Sequence, residues 1–155
     1  MEMMKNIFGY DSPDDSTAYL IVRISNLHQR KLNAELSSLD LTYTQYVLLS
    51  GIYWLLYKKH EVTQVLLVEH VKFDKSTVSS VLKTLISKKL ITRKEHPVDT
   101  RAKILDITPK GISLLKNASI IVNSVDEVVF GNNETDISSI NKKLHNILST
   151  YNDLF

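Results

Sequence analysis

The apolar residues Val78, Val81, Leu82, Leu85 and Ile86 fall at i, i+3, i+4, i+7 and i+8, the spacing of one buried face on an α-helix. At about 100° per residue, Ser76, Ser80, Lys83, Thr84 and Ser87 take the opposite face, which is short, rich in hydroxyls and carries one projecting lysine. Asp74 stands where an N-cap belongs. Just before it, Thr63 opens a shorter helix whose apolar set is Val65, Leu66, Val68 and Val71, and which stops near Lys72-Phe73. Just after it, residues 90–95 and 102–107 alternate in the manner of strands, with the turn-forming polar segment 96–101 between them. Two short helices, the second polar on one face, followed by a hairpin leave few folds open.

Longer helices flank this unit. The chain has only 4 Gly and 3 Pro in 155 residues, too little punctuation for a sandwich of many strands. Ser12-Pro13-Asp14-Asp15 reads as a helix start with a cap, a proline in the first turn and acids at the positive end of the dipole. The helix it opens is expected to run to about Ser38. Thr42 and Gln45 have capping-box spacing, and Leu41 and Tyr46 have hydrophobic-staple spacing. The helix that follows is apolar on most sides and is expected to be the central buried one, with Gly51 marking a close helix contact. Thr108-Pro109 opens a fifth helix that ends at Gly131-Asn132, and a sixth begins near Thr135 and is striped to the end of the chain. The expected order is α-α-α-α-β-β-α-α: mainly α with a small β-hairpin (α+β), in a single domain of 1–155.

Charge is unevenly placed. From Lys72 to Lys103 nine basic residues face three acids, a surplus of +6, whereas the whole chain carries only +2 and the remainder is therefore −4. A basic block in an otherwise acidic chain is the footprint of a phosphate-binding surface. The chain has no cysteine, which excludes disulfides, thiolate metal sites and cysteine redox sensing. Its five histidines show no zinc-binding spacing, and neither a Gly-x-Ser-x-Gly elbow nor a phosphate-cradling glycine loop occurs. No cofactor, no metal and no enzyme activity are expected. With no signal peptide and no apolar run of spanning length, a cytoplasmic location away from membranes is expected.

Helix, turn and helix can place the second helix in the major groove of double-stranded DNA, where serine, threonine and lysine would donate to phosphates and to purine N7 or O6 atoms. A hairpin loaded with Arg93, Lys94, His96, Arg101 and Lys103 would act as a wing against the neighbouring minor groove. The same scaffold also serves as a protein-interaction module, and the pattern alone leaves that alternative open.

The stretch TQVLLVEHVKFDKSTVSSVLKTLISKKL (63–90), followed by ITRKEHPVDTRAKILDITPKG (91–111), resembles the MarR family of winged helix-turn-helix transcription regulators. The motifs that carry the likeness are Asp74-Lys75-Ser76-Thr77-Val78-Ser79, the Asp99-x-Arg101 pair at the wing tip, and Leu-x-Ile-Thr-x-x-Gly leading into the fifth helix. The helix order elsewhere extends the likeness over nearly the whole chain. The resemblance implies a homodimeric repressor with a DNA-binding lobe at 41–108 and a helical dimerisation region at 12–38 plus 109–155. It assigns DNA contacts to Lys75, Ser76, Thr77, Ser79, Ser80 and Lys83 on the recognition helix. In the wing it assigns them to Arg93, Lys94, Lys103 and Arg101, with Asp99 bracing the last. Many members of the family bind small aromatic effectors between the two regions, for which His28, Tyr43, Tyr46 and Trp54 are the candidates here. Three departures stand out. Lys72 occupies a turn position that is often glycine, Leu66 one that is often acidic, and Thr100 one that is often basic.

Overall fold

The computed structural model describes residues 7–95 and 103–154. They fall into two compact units that divide between Ala118 and Ser119. The first holds α1 (Thr17–Leu36), α2 (Tyr43–Tyr57), α3 (Gln64–Val71), α4 (Lys75–Ser87), β1 (Ile91–Glu95) and β2 (Lys103–Ile107). Helix α5 (Pro109–Phe130) begins there and ends in the second unit, which also holds α6 (Glu134–Leu154). The observed order matches the one read from the sequence, with β1 and β2 pairing antiparallel so that Ile91 faces Ile107 and Glu95 faces Lys103.

Caps explain most of the boundaries. Thr42 and Gln45 close the expected capping box at 3.2 and 3.3 Å. Thr63 accepts from the Leu66 amide at 3.2 Å, and Thr108 from the Gly111 amide at 3.0 Å. The first helix differs from expectation. Ser12 and Asp15 close their own capping box around a 3-10 turn over Pro13–Asp15, and the backbone then turns extended at Ser16, with φ −89° and ψ 111°. Ser16 supplies a second cap by accepting from the Tyr19 amide, so α1 starts at Thr17. A further 3-10 turn, Ser37–Leu39, follows its end.

The core of the first unit is built from Leu32 and Leu36 of α1, Leu48, Leu49, Ile52 and Leu55 of α2, Leu67 of α3, Val78, Leu82 and Leu85 of α4, and Ile91 and Leu105 of the hairpin. Burying a leucine side chain contributes about 1.5–3 kcal/mol, so this cluster fixes α4 by its stripe and leaves its other face outward. A Cβ on Gly51 would lie 3.1 Å from Leu67 Cδ1 and 3.1 Å from Val71 Cγ1, which is the close α2–α3 contact that the glycine suggested. Helix α2 is less enclosed than its composition implies: Tyr53, Trp54 and Tyr57 are exposed along one side.

Helices α2, α3 and α4 all end on a lysine in the left-handed region, at Lys59, Lys72 and Lys89, with φ of 61°, 57° and 59°. After α2 and α4 the closure is of the Schellman kind: the amides of His60 and Leu90 return to Leu55 O and Leu85 O, both at 3.0 Å. Among the described residues no helix is long and apolar enough to cross a membrane.

Candidate nucleic-acid interface

Helix α4 presents the expected face. Val78, Leu82 and Leu85 are buried, while Lys75, Ser76, Ser80, Lys83 and Ser87 are exposed and Thr77, Ser79 and Thr84 are half-buried. The turn that carries the chain from α3 into α4 contains Lys72 at φ 57° and ψ 24°, its amide bonded to Val68 O at 2.9 Å. The lysine therefore keeps the left-handed turn that glycine would adopt freely, at a cost of about 1 kcal/mol.

Asp74 does more than cap. Its carboxylate accepts from the Thr77 amide at 2.8 Å, the Ser76 hydroxyl at 2.5 Å and the Thr77 hydroxyl at 2.5 Å. The Ser76 and Thr77 hydroxyls, joined by the Thr77 amide, hold its pKa far below the usual carboxylate range. The carboxylate is thus ionised and can only accept, so both hydroxyl protons point at it. These hydroxyls, expected from the sequence to donate to DNA, donate instead to Asp74. The signal was there in the order Asp-x-Ser-Thr, since an aspartate readily bonds groups two and three residues on.

In the wing, the register sets Glu95 opposite Lys103, and Lys103 Nζ lies 2.5 Å from Glu95 Oε1. That bond and the accompanying attraction hold the Glu95 carboxyl below its ordinary pKa. Lys103 is therefore partly neutralised within the hairpin, whereas Arg93 and Lys94 are exposed on β1. Asp99 and Arg101 lie outside the described residues. Lys75, Arg93 and Lys103 meet at a groove of about 480 Å³ that is also lined by Thr63, Val65, Val68 and Glu69. Three of the expected contacts, from α4, β1 and β2, thus share one concave basic surface.

The far end of α4 is fastened by a residue that sequence reading passed over. Lys88 Nζ donates to Asp40 O, lies 3.0 Å from Asp40 Oδ2 and 3.4 Å from Gln45 Oε1, and so joins α4 to the turn between α1 and α2. Lys88 O in turn accepts from Lys110 Nζ of α5 at 2.9 Å.

Of the four residues suggested for an effector, His28 and Tyr43 line one cavity of about 320 Å³ together with Ser25, Gln29, Thr44, Phe73 and Thr77. The His28 and Tyr43 rings meet edge to face at 6.1 Å, and Tyr46 stacks on Tyr43 at 6.1 Å. Trp54 lies elsewhere, stacked on Tyr57 at 6.0 Å, with Lys58 Nζ 4.8 Å from its ring centre. Among the described residues no group of three or more His, Cys, Asp or Glu side chains could hold a metal ion.

Residues 35–125 match the model of the ArnR1-like winged-helix domain. The chain is 31% identical over 121 residues to the HTH-type transcriptional regulator YdcH of Bacillus subtilis strain 168, covering 78% of this chain and 82% of that protein. Its structure is similar to that of Staphylococcus aureus MepR in complex with DNA, with a TM-score of 0.77, 26% identity, and 90% of this chain and 99% of that one covered. It shares its fold with a mutant of Escherichia coli MarR complexed with operator DNA, with a TM-score of 0.76, 22% identity, and 94% and 97% of the two chains covered.

Proposed function

Because the chain belongs to the MarR family of winged helix-turn-helix transcription regulators, we propose that it is a homodimeric repressor of a pseudo-palindromic operator. Helix α4 lies in the major groove, and the wing reaches the adjacent minor groove. The observation that carries this reading is the division of α4 into a buried Val78–Leu82–Leu85 stripe and an exposed hydroxyl and lysine face, the form that a groove-reading helix requires. Residues 41–108 are the DNA-binding lobe. Lys75, Ser79, Ser80 and Lys83 contact the groove or its rim, Arg93 and Lys94 the flanking phosphates, and Arg101, braced by Asp99, the minor groove.

Dimerisation is assigned to 12–38 and 109–155 because the single chain leaves apolar helix surface bare. Val22, Ile24 and Leu27 of α1 are at least half exposed, as are Leu148 and Tyr151 of α6, and Val128 of α5 is 84% exposed. Patches of this kind mark interaction sites, and two-fold pairing sets two recognition helices about 10 bp apart along DNA. A small aromatic effector suits the cavity of His28 and Tyr43, and would release DNA by favouring a dimer with misplaced recognition helices. With no cysteine in the chain, the trigger is not thiol oxidation.

The test is fluorescence anisotropy of the full chain against DNA upstream of its own gene, at two salt concentrations, with a scrambled duplex as control. Tight, sequence-preferring binding whose log K falls steeply with log salt is expected. Weak binding that is equal on both duplexes and insensitive to salt would remove the repressor reading in favour of a protein-interaction module.

A further inference from the structure

The first turn of α4 has a fixed hydrogen-bond polarity. The start of a helix ordinarily offers free amides and a positive dipole end to an anion such as a phosphate. Here Asp74 fills that place with its own carboxylate, which accepts from the Thr77 amide and takes the protons of Ser76 and Thr77. What remains outward at this end of the helix, beside the Lys75 ammonium, is a carboxylate and the lone pairs of the Ser76 hydroxyl. Asp74 and Ser76 are both exposed, and Ser76 lies on the face opposite the buried stripe. A phosphate placed against the Asp74 carboxylate and the Ser76 lone pairs would be repelled, and is left to Lys75. A guanine edge, which offers the O6 and N7 acceptors, would meet acceptors. Cytosine and adenine each present an exocyclic amino group in the major groove, and each would be matched.

We infer that Asp74 commits Ser76 to reading an amino donor on a base edge, the N4 group of cytosine or the N6 group of adenine, and to rejecting guanine at that position. The inference rests on the proposed seating of α4 in the major groove. It makes Asp74 a positioning residue for specificity, and it leaves the donating contacts to Lys75, Lys83 and the wing.

The experiment is selection from a randomised duplex library by the full chain and by the variants Ser76→Ala and Asp74→Asn, with thermal melts confirming that each is folded. Asparagine keeps a carbonyl oxygen for the Thr77 amide but loses the charge that draws the hydroxyl protons. The native chain should enrich cytosine or adenine at one position of each half-site. Ser76→Ala should lose that preference, by about tenfold in relative affinity, with the rest of the motif unchanged. Asp74→Asn should move the same position toward guanine, a shift that a merely structural cap would not produce. A motif identical in all three proteins, or a position dependent on Ser76 that is guanine in the native selection, overturns the inference while leaving the regulator reading intact. If the native chain enriches no sequence at all, the regulator reading falls and takes the inference with it. Ser76→Ala carries the test alone if Asp74→Asn fails to fold.

Discussion

Replacing Gly111 by alanine tests how the recognition unit is joined to α5. A Cβ at this position would lie 2.1 Å from Leu90 O, 3.1 Å from Leu90 C and 2.9 Å from Ile107 Cγ1. The carbonyl cannot swing away at little cost, because it accepts from the Thr108 amide at 3.0 Å and the Thr108 hydroxyl at 3.1 Å. It also follows directly on the closure of α4. Relieving the clash means moving backbone by about 1 Å. Overpacking of this kind costs about 1–3 kcal/mol, and loss of the Thr108 cap adds about 1 kcal/mol. Alanine recovers about 0.5–1 kcal/mol through its better helix propensity. The net expectation is a loss of about 1–3.5 kcal/mol, which for a chain of this size lowers Tm by about 2–14 °C. Urea unfolding followed by circular dichroism, at fixed protein concentration, measures it. Gly51→Ala is the control: there the Cβ would meet only side-chain atoms of Leu67, Val71 and His70, at 3.1–3.3 Å, and a change within about 1 kcal/mol is expected. Gly111→Ala as stable as Gly51→Ala would refute the reasoning.

Lys72→Gly should raise stability by about 0.5–1 kcal/mol, because relief of the left-handed strain at φ 57° exceeds the added freedom of the unfolded chain; an unchanged urea midpoint would count against the strain. The Asp74 carboxyl has a lowered pKa in the folded protein, so its stabilising contribution is present above about pH 4 and is lost as the pH falls below that. Urea midpoints of the native chain should therefore drop more steeply between pH 5 and about pH 3 than those of Asp74→Asn, and parallel curves would dismiss the effect. Arg93→Ala should lower affinity for all duplexes and reduce the salt slope by about 1. Lys103→Ala should change the slope less, since that ammonium already faces Glu95; the reverse order in salt-titrated anisotropy would disprove the pairing.

The helices were legible because their signals are local. The stripe from Val78 to Ile86, the box of Thr42 and Gln45, and the cap of Thr108 each involve residues within two turns of one another, and the structure keeps all of them. The start of α1 was misread because Ser12 and Ser16 are both competent caps and spacing does not rank them; the bonds of Ser12 to Asp15 and of Ser16 to Tyr19 do. At the interface the residues were legible but their partners were not. Glu95 meets Lys103, eight positions on, through strand register, and Lys88 meets Asp40 across 48 positions, neither of which periodicity reports. The exposed side of α2 was hidden for a related reason: Tyr53, Trp54 and Tyr57 count as apolar in a pattern, yet sit at the surface of the single chain.

The fastening of α4 by Lys88 has a mechanical consequence. One ammonium holds the corner between α1 and α2 through Asp40 and Gln45, while the carbonyl of the same residue is held from α5 by Lys110. The recognition helix is thus a rod clamped at its trailing end and capped at its leading end. Pivoting it about its own base would break several polar contacts at once, whereas carrying it along with the corner of α1 and α2 and the first turn of α5 breaks none of them. Reorientation in the groove by rigid transport of the whole corner is therefore the motion of least resistance.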